Sequence, residues 1–135
     1  MALSDSLNSW SPRIRSVLRI MSGLLFMAHG IQKHLGFPPA DWTPEPFSGP
    51  WFAGWIELIA GGLIVLGLFT RPVAFLASGT MAAAYFVGHA SLQGIGFFPI
   101  VNQGELAILY CFIFFYVVFA GPGPWSLDAK LGKDR

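Results

Sequence analysis

Two histidines, His29 and His89, two glutamates, Glu57 and Glu105, and one lysine, Lys33, stand within or at the ends of otherwise apolar stretches. An ionisable group is costly to hold in such a place and usually faces a partner or a watery cavity. Imidazole and carboxylate exchange protons near neutral pH, and an ammonium group can hold an anion or a polarised carbonyl. Glu57, His89 and Glu105 are therefore the candidates for proton chemistry, with His29, Lys33, Tyr85 and Asn102 as candidate ligand contacts. Phe26, Trp55, Phe86, Phe97 and Phe98 would suit a flat apolar ligand such as a quinone. Two other uses of the same groups stay open. His29, Glu57, His89 and Glu105 could supply mixed nitrogen and oxygen ligands to a divalent metal, although Lys33 would repel a cation and no Glu-x-x-His pair is present. Lys33 and the histidines could equally form an ion-pair network with Glu57 and Glu105 that only holds helices in register.

These residues need elements that bring them to one depth, and spacing suggests which. Arg15, Arg19, Ser22, Phe26, His29 and Lys33 advance by alternating steps of four and three, which is one stripe of a helix. The same spacing joins Gly54, Glu57, Gly61, Ile64, Leu68 and Arg71. It recurs in Ser78, Ala82, Tyr85 and His89, and in Asn102, Glu105, Leu109, Phe112 and Tyr116. Four stretches, roughly 14–35, 51–69, 72–92 and 103–120, are poor in charge and near the length that crosses a bilayer, about 17 to 25 residues. The expected fold is all-α: an integral membrane four-helix bundle, up-down-up-down, formed by residues 1–135 as a single domain. In that order His29, Lys33 and His89 end the outward helices while Glu57, Asn102 and Glu105 begin the inward ones, so all gather in the outer half. A second polar group, Arg19, Arg71 and Asp128, gathers at the other end.

Composition agrees with a chain made for lipid. Of 135 residues, 54% are apolar and only 11% charged, too few charges to give each helix a wet outer stripe. Basic residues are uneven: Arg13, Arg15, Arg19, Arg71, Lys130, Lys133 and Arg135 share one side if there are four crossings, and Lys33 alone falls on the other. Both termini are accordingly expected in the cytoplasm, and the protein in a bacterial inner membrane. Ser11-Pro12 reads as the start of the first helix, after a short polar segment. Gly36 to Pro50, with five prolines, reads as an irregular loop, and residues 93–103 as a second connection. Ala28-His29-Gly30 imitates a cleavage site, but the following Lys33-His34 argues for a retained helix.

Several functions are excluded. Cys111 is the one cysteine, so a relay through two thiols of this chain is not available. No basic, aromatic-interleaved patch exists for nucleic acid, and no strand-loop-helix context for a phosphate cradle. A transporter or an assembly scaffold remains open, transport ranking lower because no internal repeat is evident. A homodimer is compatible with four helices carrying so little polar surface, but no face is marked out for it.

Taken together, His29-Gly30 followed by Lys33, Glu57 with Gly61-Gly62 and Gly67, Thr70-Arg71, His89, Asn102-Gln103-Gly104-Glu105, and Gly121-Pro122-Gly123 leading to Ser126 and Asp128 resemble the DoxX family of small four-span bacterial membrane proteins. The resemblance runs from Arg19 to Asp128. Where that family often has Asn-Gly-Gly-Glu, this chain has Gln103 as the second residue. The resemblance implies association with oxidoreductase systems, including quinone-linked reactions and soluble oxidoreductase partners.

Overall fold

A computed structural model describes residues 2–90 and 96–134, and among these every regular element is helical. Helix α1 spans Leu3–Leu35, α2 Gly49–Leu66 and α3 Thr70–Ala83, which runs on through a π-helical segment, Ala84–Ala90. A single turn, α4 (Pro99–Asn102), precedes α5 (Glu105–Ala120), and another, α6 (Leu127–Lys130), lies in the tail. Three helical stretches, Leu3–Leu35, Gly49–Leu66 and Thr70–Ala90, are long and apolar enough to cross a membrane, and α5 is a shorter apolar helix. The last two residues of the expected third stretch, the beginning of the 93–103 connection, and Arg135 lie outside the described residues.

Local chemistry explains the boundaries. The Ser48 hydroxyl accepts the Trp51 N–H at 3.4 Å, capping α2, and Pro50 occupies a first-turn position that needs no N–H donor. Gly67, at φ 68°, ends α2 in the left-handed conformation and donates its N–H to Ile64, 3.1 Å away. The expected start of α1 at Ser11-Pro12 is corrected: the helix begins at Leu3, Asp5 accepts the Ala2 N–H at 3.3 Å, and Pro12 lies inside it.

Helices pair α1 with α2 and α3 with α5. Along α1, Gly30 lies against Gly54 and Leu58, Met27 against Gly61, Gly23 against Ile64, and Arg19 against Gly67, so the two run antiparallel. This approach depends on glycine. A Cβ on Gly30 would stand 2.6 Å from the Gly54 carbonyl oxygen and 2.8 Å from the Leu58 Cα, and one on Gly61 2.8 Å from the Met27 Cα. In the other pair the Ser78 hydroxyl donates to the Cys111 carbonyl at 2.8 Å, and Arg71 reaches the carbonyls of Val118 and Phe119. Phe26, Ile64, Ala74, Ala77, Phe114 and Val117 are fully buried where the pairs meet, with Phe26 edge-on to both Tyr110 and Phe114.

The outer faces are apolar too. Phe75, Phe112, Leu109 and Phe119 are all more than half exposed, a liability in water but the expected surface toward lipid. The α5 stripe expected from Asn102 through Tyr116 is also corrected. The buried face is Ala107, Tyr110, Phe114 and Val117, because Gln103 at φ 60° and Gly104 break the helix and reset its phase after Asn102.

Candidate functional site

Between the two helix pairs, at the end away from the tail, lies a cavity of about 230 Å³. Helix α1 contributes Phe26, His29 and Lys33, and α2 contributes Glu57. From α3 and its π-helical continuation come Met81, Ala84 and His89, and from α5 and the turn before it Gln103, Leu106, Ala107 and Tyr110. His29, Lys33, Glu57 and His89 are therefore brought to one space. The volume is below that of ordinary drug-sized pockets, so it fits a ring or a headgroup rather than a large ligand.

Each polar liner has a defined chemical state or partner. Lys33 Nζ lies 2.9 Å from both Glu57 oxygens, and the Glu57 side chain is only 6% exposed. The ammonium group has three protons and directs two of them to Glu57, so the third remains for the cavity. His89 Nδ1 lies 3.0 Å from the Asn102 carbonyl oxygen. A carbonyl can only accept, so Nδ1 carries a proton and Nε2 is the nitrogen left for another partner. Five positions from Ala84, His89 sits in the wider π-helical turn, a local departure from α-geometry often found where a side chain must be re-aimed. His29 is exposed at the rim, edge-on to Tyr110 at 6.2 Å between centroids.

Tyr85 and Asn102 form the frame beside the cavity rather than its lining. The Tyr85 hydroxyl donates to the Phe97 carbonyl and accepts from Asn102 Nδ2 at 3.3 Å. Asn102 also donates to Gly96 at 3.2 Å, while its Oδ1 accepts the Gly104 N–H at 2.8 Å. Gly104 admits the ring, since a Cβ there would meet Tyr85 at 2.6 Å.

Three expectations from sequence are corrected. Glu105 does not join the cavity; it is exposed and lines an open surface depression with Pro99, Ile100 and Leu109. The metal set of His29, Glu57, His89 and Glu105 does not assemble, since Glu105 faces out and Lys33 takes both Glu57 oxygens. Among the described residues no three His, Cys, Asp or Glu side chains are grouped to hold a metal ion. Of the aromatics, only Phe26 lines the cavity: Trp55 stacks on His34 at 4.2 Å, and Phe86, Phe97 and Phe98 are exposed. Sequence reasoning missed Tyr110, Gln103 and Met81. A tyrosine in an apolar helix is a signal, but Tyr116 gives the same one and lies half exposed on the outside.

At the opposite end the second polar group is fully engaged. Arg19, with no exposure, donates to Ile64 at 2.9 Å, to Trp125 at 2.6 Å and to the Pro122 carbonyl. The Asp128 carboxylate accepts the Phe69 and Thr70 amides at 3.0 and 2.9 Å, capping α3 from the tail. Burial opposes its ionisation, but the hydrogen bonds from Thr70 and the Phe69 amide outweigh that and hold its pKa below the ordinary aspartate value. Arg71 closes the last carbonyls of α5 and reaches Asp134, 2.5 Å away.

The DoxX family profile matches residues 14–90 of the chain. A Haemophilus influenzae protein described only as uncharacterized is 42% identical over 132 residues, covering 96% of this chain and 98% of its own. An uncharacterized membrane protein of Mycobacterium tuberculosis is 31% identical over 134 residues, with 86% and 80% covered. The Escherichia coli inner membrane protein YphA is 28% identical over 127 residues, with 88% and 91% covered. No solved structure matches the chain.

Proposed function

This chain belongs to the DoxX family of membrane proteins, and on that premise we propose that it is the inner-membrane subunit of an oxidoreductase system that binds a quinone-like headgroup in the cavity between its helix pairs. In this reading four helices cross the bilayer up-down-up-down with both termini in the cytoplasm, and a soluble oxidoreductase works with it. The observation that carries the proposal is the convergence of His29, Lys33, Glu57 and His89, from three helical segments distant in sequence, on one small cavity.

A quinone, when bound, supplies the redox chemistry; the chain's own groups bind it and handle protons. Lys33, steadied by Glu57, donates a hydrogen bond toward a carbonyl oxygen and stabilises negative charge developing there. With the ring neutral, His89 Nε2 accepts a proton or a hydrogen bond from the ligand, and the Asn102 carbonyl fixes the ring for that task. Phe26, Met81 and Tyr110 exclude water from the flat face. His29, on the rim, connects the cavity with the exterior.

Titrating the full chain in proteoliposomes with a short-chain quinone, read by tryptophan fluorescence, tests this. Saturable binding is expected, weakened at least tenfold in Glu57→Gln and His89→Ala while His89→Ala keeps the parent melting temperature. Equal affinity across all three would remove the proposal. The two-oxygen contact of Lys33 with Glu57 favours a second reading, in which the pair only holds α1 against α2. Lys33→Met combined with Glu57→Leu separates them: a scaffold keeps its partner's activity with this apolar pair, and a ligand site loses it.

A further inference from the structure

Residues 3–14 make up more than a third of α1, and every one of them is exposed. The helix has 33 residues, about 50 Å at 1.5 Å per residue, against the roughly 20 residues that a bilayer core requires. The bundle ends near Pro12 and Ser16, where the Gly123 backbone packs. The preceding turns therefore project beyond it as a helix exposed on every side among the described residues. As a continuation of α1 it needs no nucleus of its own, so what is left unexplained is not its order but what covers its exposed apolar residues.

Its pattern identifies what. Leu3, Leu7, Trp10 and Ile14 advance by four, three and four, and the residues between them are polar apart from Pro12. Their exposures are 75%, 63%, 52% and 58%. Within the bundle Val17, Met21, Leu24 and Ala28 continue the same line, also exposed, while Asp5, Pro12, Arg19, Phe26 and Lys33 run along the opposite side, of which the last three face the chain's own bundle. Lipid alone accounts for the outward residues inside the membrane, where every face can be apolar. It does not account for the extension, where the outward line stays apolar and the inward side turns polar.

We propose that this line is a homodimer seam, along which α1 packs in parallel against α1 of a second copy as a two-stranded coiled coil continuing from the membrane into the water. In the extension, where lipid does not explain it, Leu3, Leu7, Trp10 and Ile14 keep the alternating three-and-four spacing that such packing uses, and Val17 to Ala28 carry the same line on into the membrane. Two copies inserted the same way in one bilayer are necessarily parallel and meet about a two-fold axis, which lets each position face itself. Charge agrees. The residues flanking the seam in the extension are Ser4, Ser6, Ser11 and Arg13, and Asp5 lies on the far side, so identical chains bring few like charges together. The four apolar residues of the extension are 52–75% exposed, so a seam between two copies would remove apolar surface from water there, while the line inside the bilayer adds packing rather than hydrophobic burial. A helix lying on the bilayer surface would instead want basic residues on its polar face, and residues 2–12 hold none.

Single cysteines introduced into the full chain carrying Cys111→Ala, reconstituted in liposomes and oxidised, test the seam. Leu7→Cys and Ile14→Cys are expected to give disulfide-linked dimers whose yield holds when lipid is raised fiftyfold, and Asp5→Cys is expected to stay monomeric. Equal linking at Asp5, or monomers from Leu7→Cys at every lipid ratio, would overturn the proposal. So would quenching of a label on Leu7→Cys by a quencher in the lipid phase, which would place the line on the bilayer surface. Independently of any cysteine, Leu7→Glu is expected to shift the purified protein from dimer to monomer mass by sedimentation, and an unchanged mass contradicts the seam.

Discussion

The two ends of the helix bundle hold similar numbers of polar groups and treat them in opposite ways. At the tail end the buried charged groups of the polar cluster are closed by protein partners, although the Thr70 hydroxyl and Arg15 Nε stay unpaired: Arg19 closes the last carbonyls of α2 and the Pro122 turn, and Asp128 closes the first amides of α3. At the cavity end Lys33 and His89 each have one side satisfied and line open space, and His29 stands at the rim edge-on to Tyr110. Satisfied buried groups fix a structure, and groups held in place with free valence are available for a ligand. Amount of polarity thus says little about function here, and what is left over after packing says a great deal.

Substitutions can break that contrast, beginning with the largest effect. Arg19→Ala orphans carbonyls in a buried site and should cost about 3–5 kcal/mol, seen as a steep fall in detergent melting temperature. Arg19→Lys should recover only part, since an ammonium group lacks the guanidinium's fork. Gly30→Ala forces backbone against backbone between α1 and α2 and should cost about 1–3 kcal/mol. Because Gly30 lies one turn from Lys33, it should also weaken binding in the cavity by misplacing the ammonium group.

Asp128→Asn should cost about 1 kcal/mol at neutral pH, the usual worth of a helix cap. The Asp128 pKa is lowered in the folded chain, so its contribution is complete above the unfolded value, near 3.9, and is lost as pH falls through the lower native value. The stability gap between parent and Asp128→Asn should therefore close in acid below about pH 4, and a gap that widens there would contradict the assigned cap. Smallest of all, Glu105→Gln should shift stability by less than about 0.5 kcal/mol and leave quinone affinity unchanged, in contrast with Glu57→Gln.

Much of this was legible in the sequence, for physical reasons that can be named. Helices α1 and α2 carry long apolar runs interrupted at fixed spacing by Arg19, Lys33 and Glu57, and a period is readable when one face differs from the rest. Helix α5 is apolar all round, so nothing in it distinguished Tyr110 from Tyr116, and phase carried over from Asn102 across Gln103 and Gly104 put Glu105 on the wrong side. The π-helical turn at Ala84–Ala90 has no sequence signature and emerges only from packing. Pro12 was misleading because proline usually starts a helix, whereas here an acidic residue, Asp5, helps to start it two turns earlier.

In the proposed function the ligand binds at the cavity end, between the two helix pairs. Irradiating the full chain in liposomes with a photoreactive quinone, then mapping the labelled peptides by mass spectrometry, addresses it most directly. Label is predicted on residues 26–33, 81–89 and 103–110, competed by unlabelled quinone and lost in Glu57→Gln and His89→Ala. Label spread over lipid-facing Phe75, Phe112 and Phe119 alike in parent and variants would contradict it.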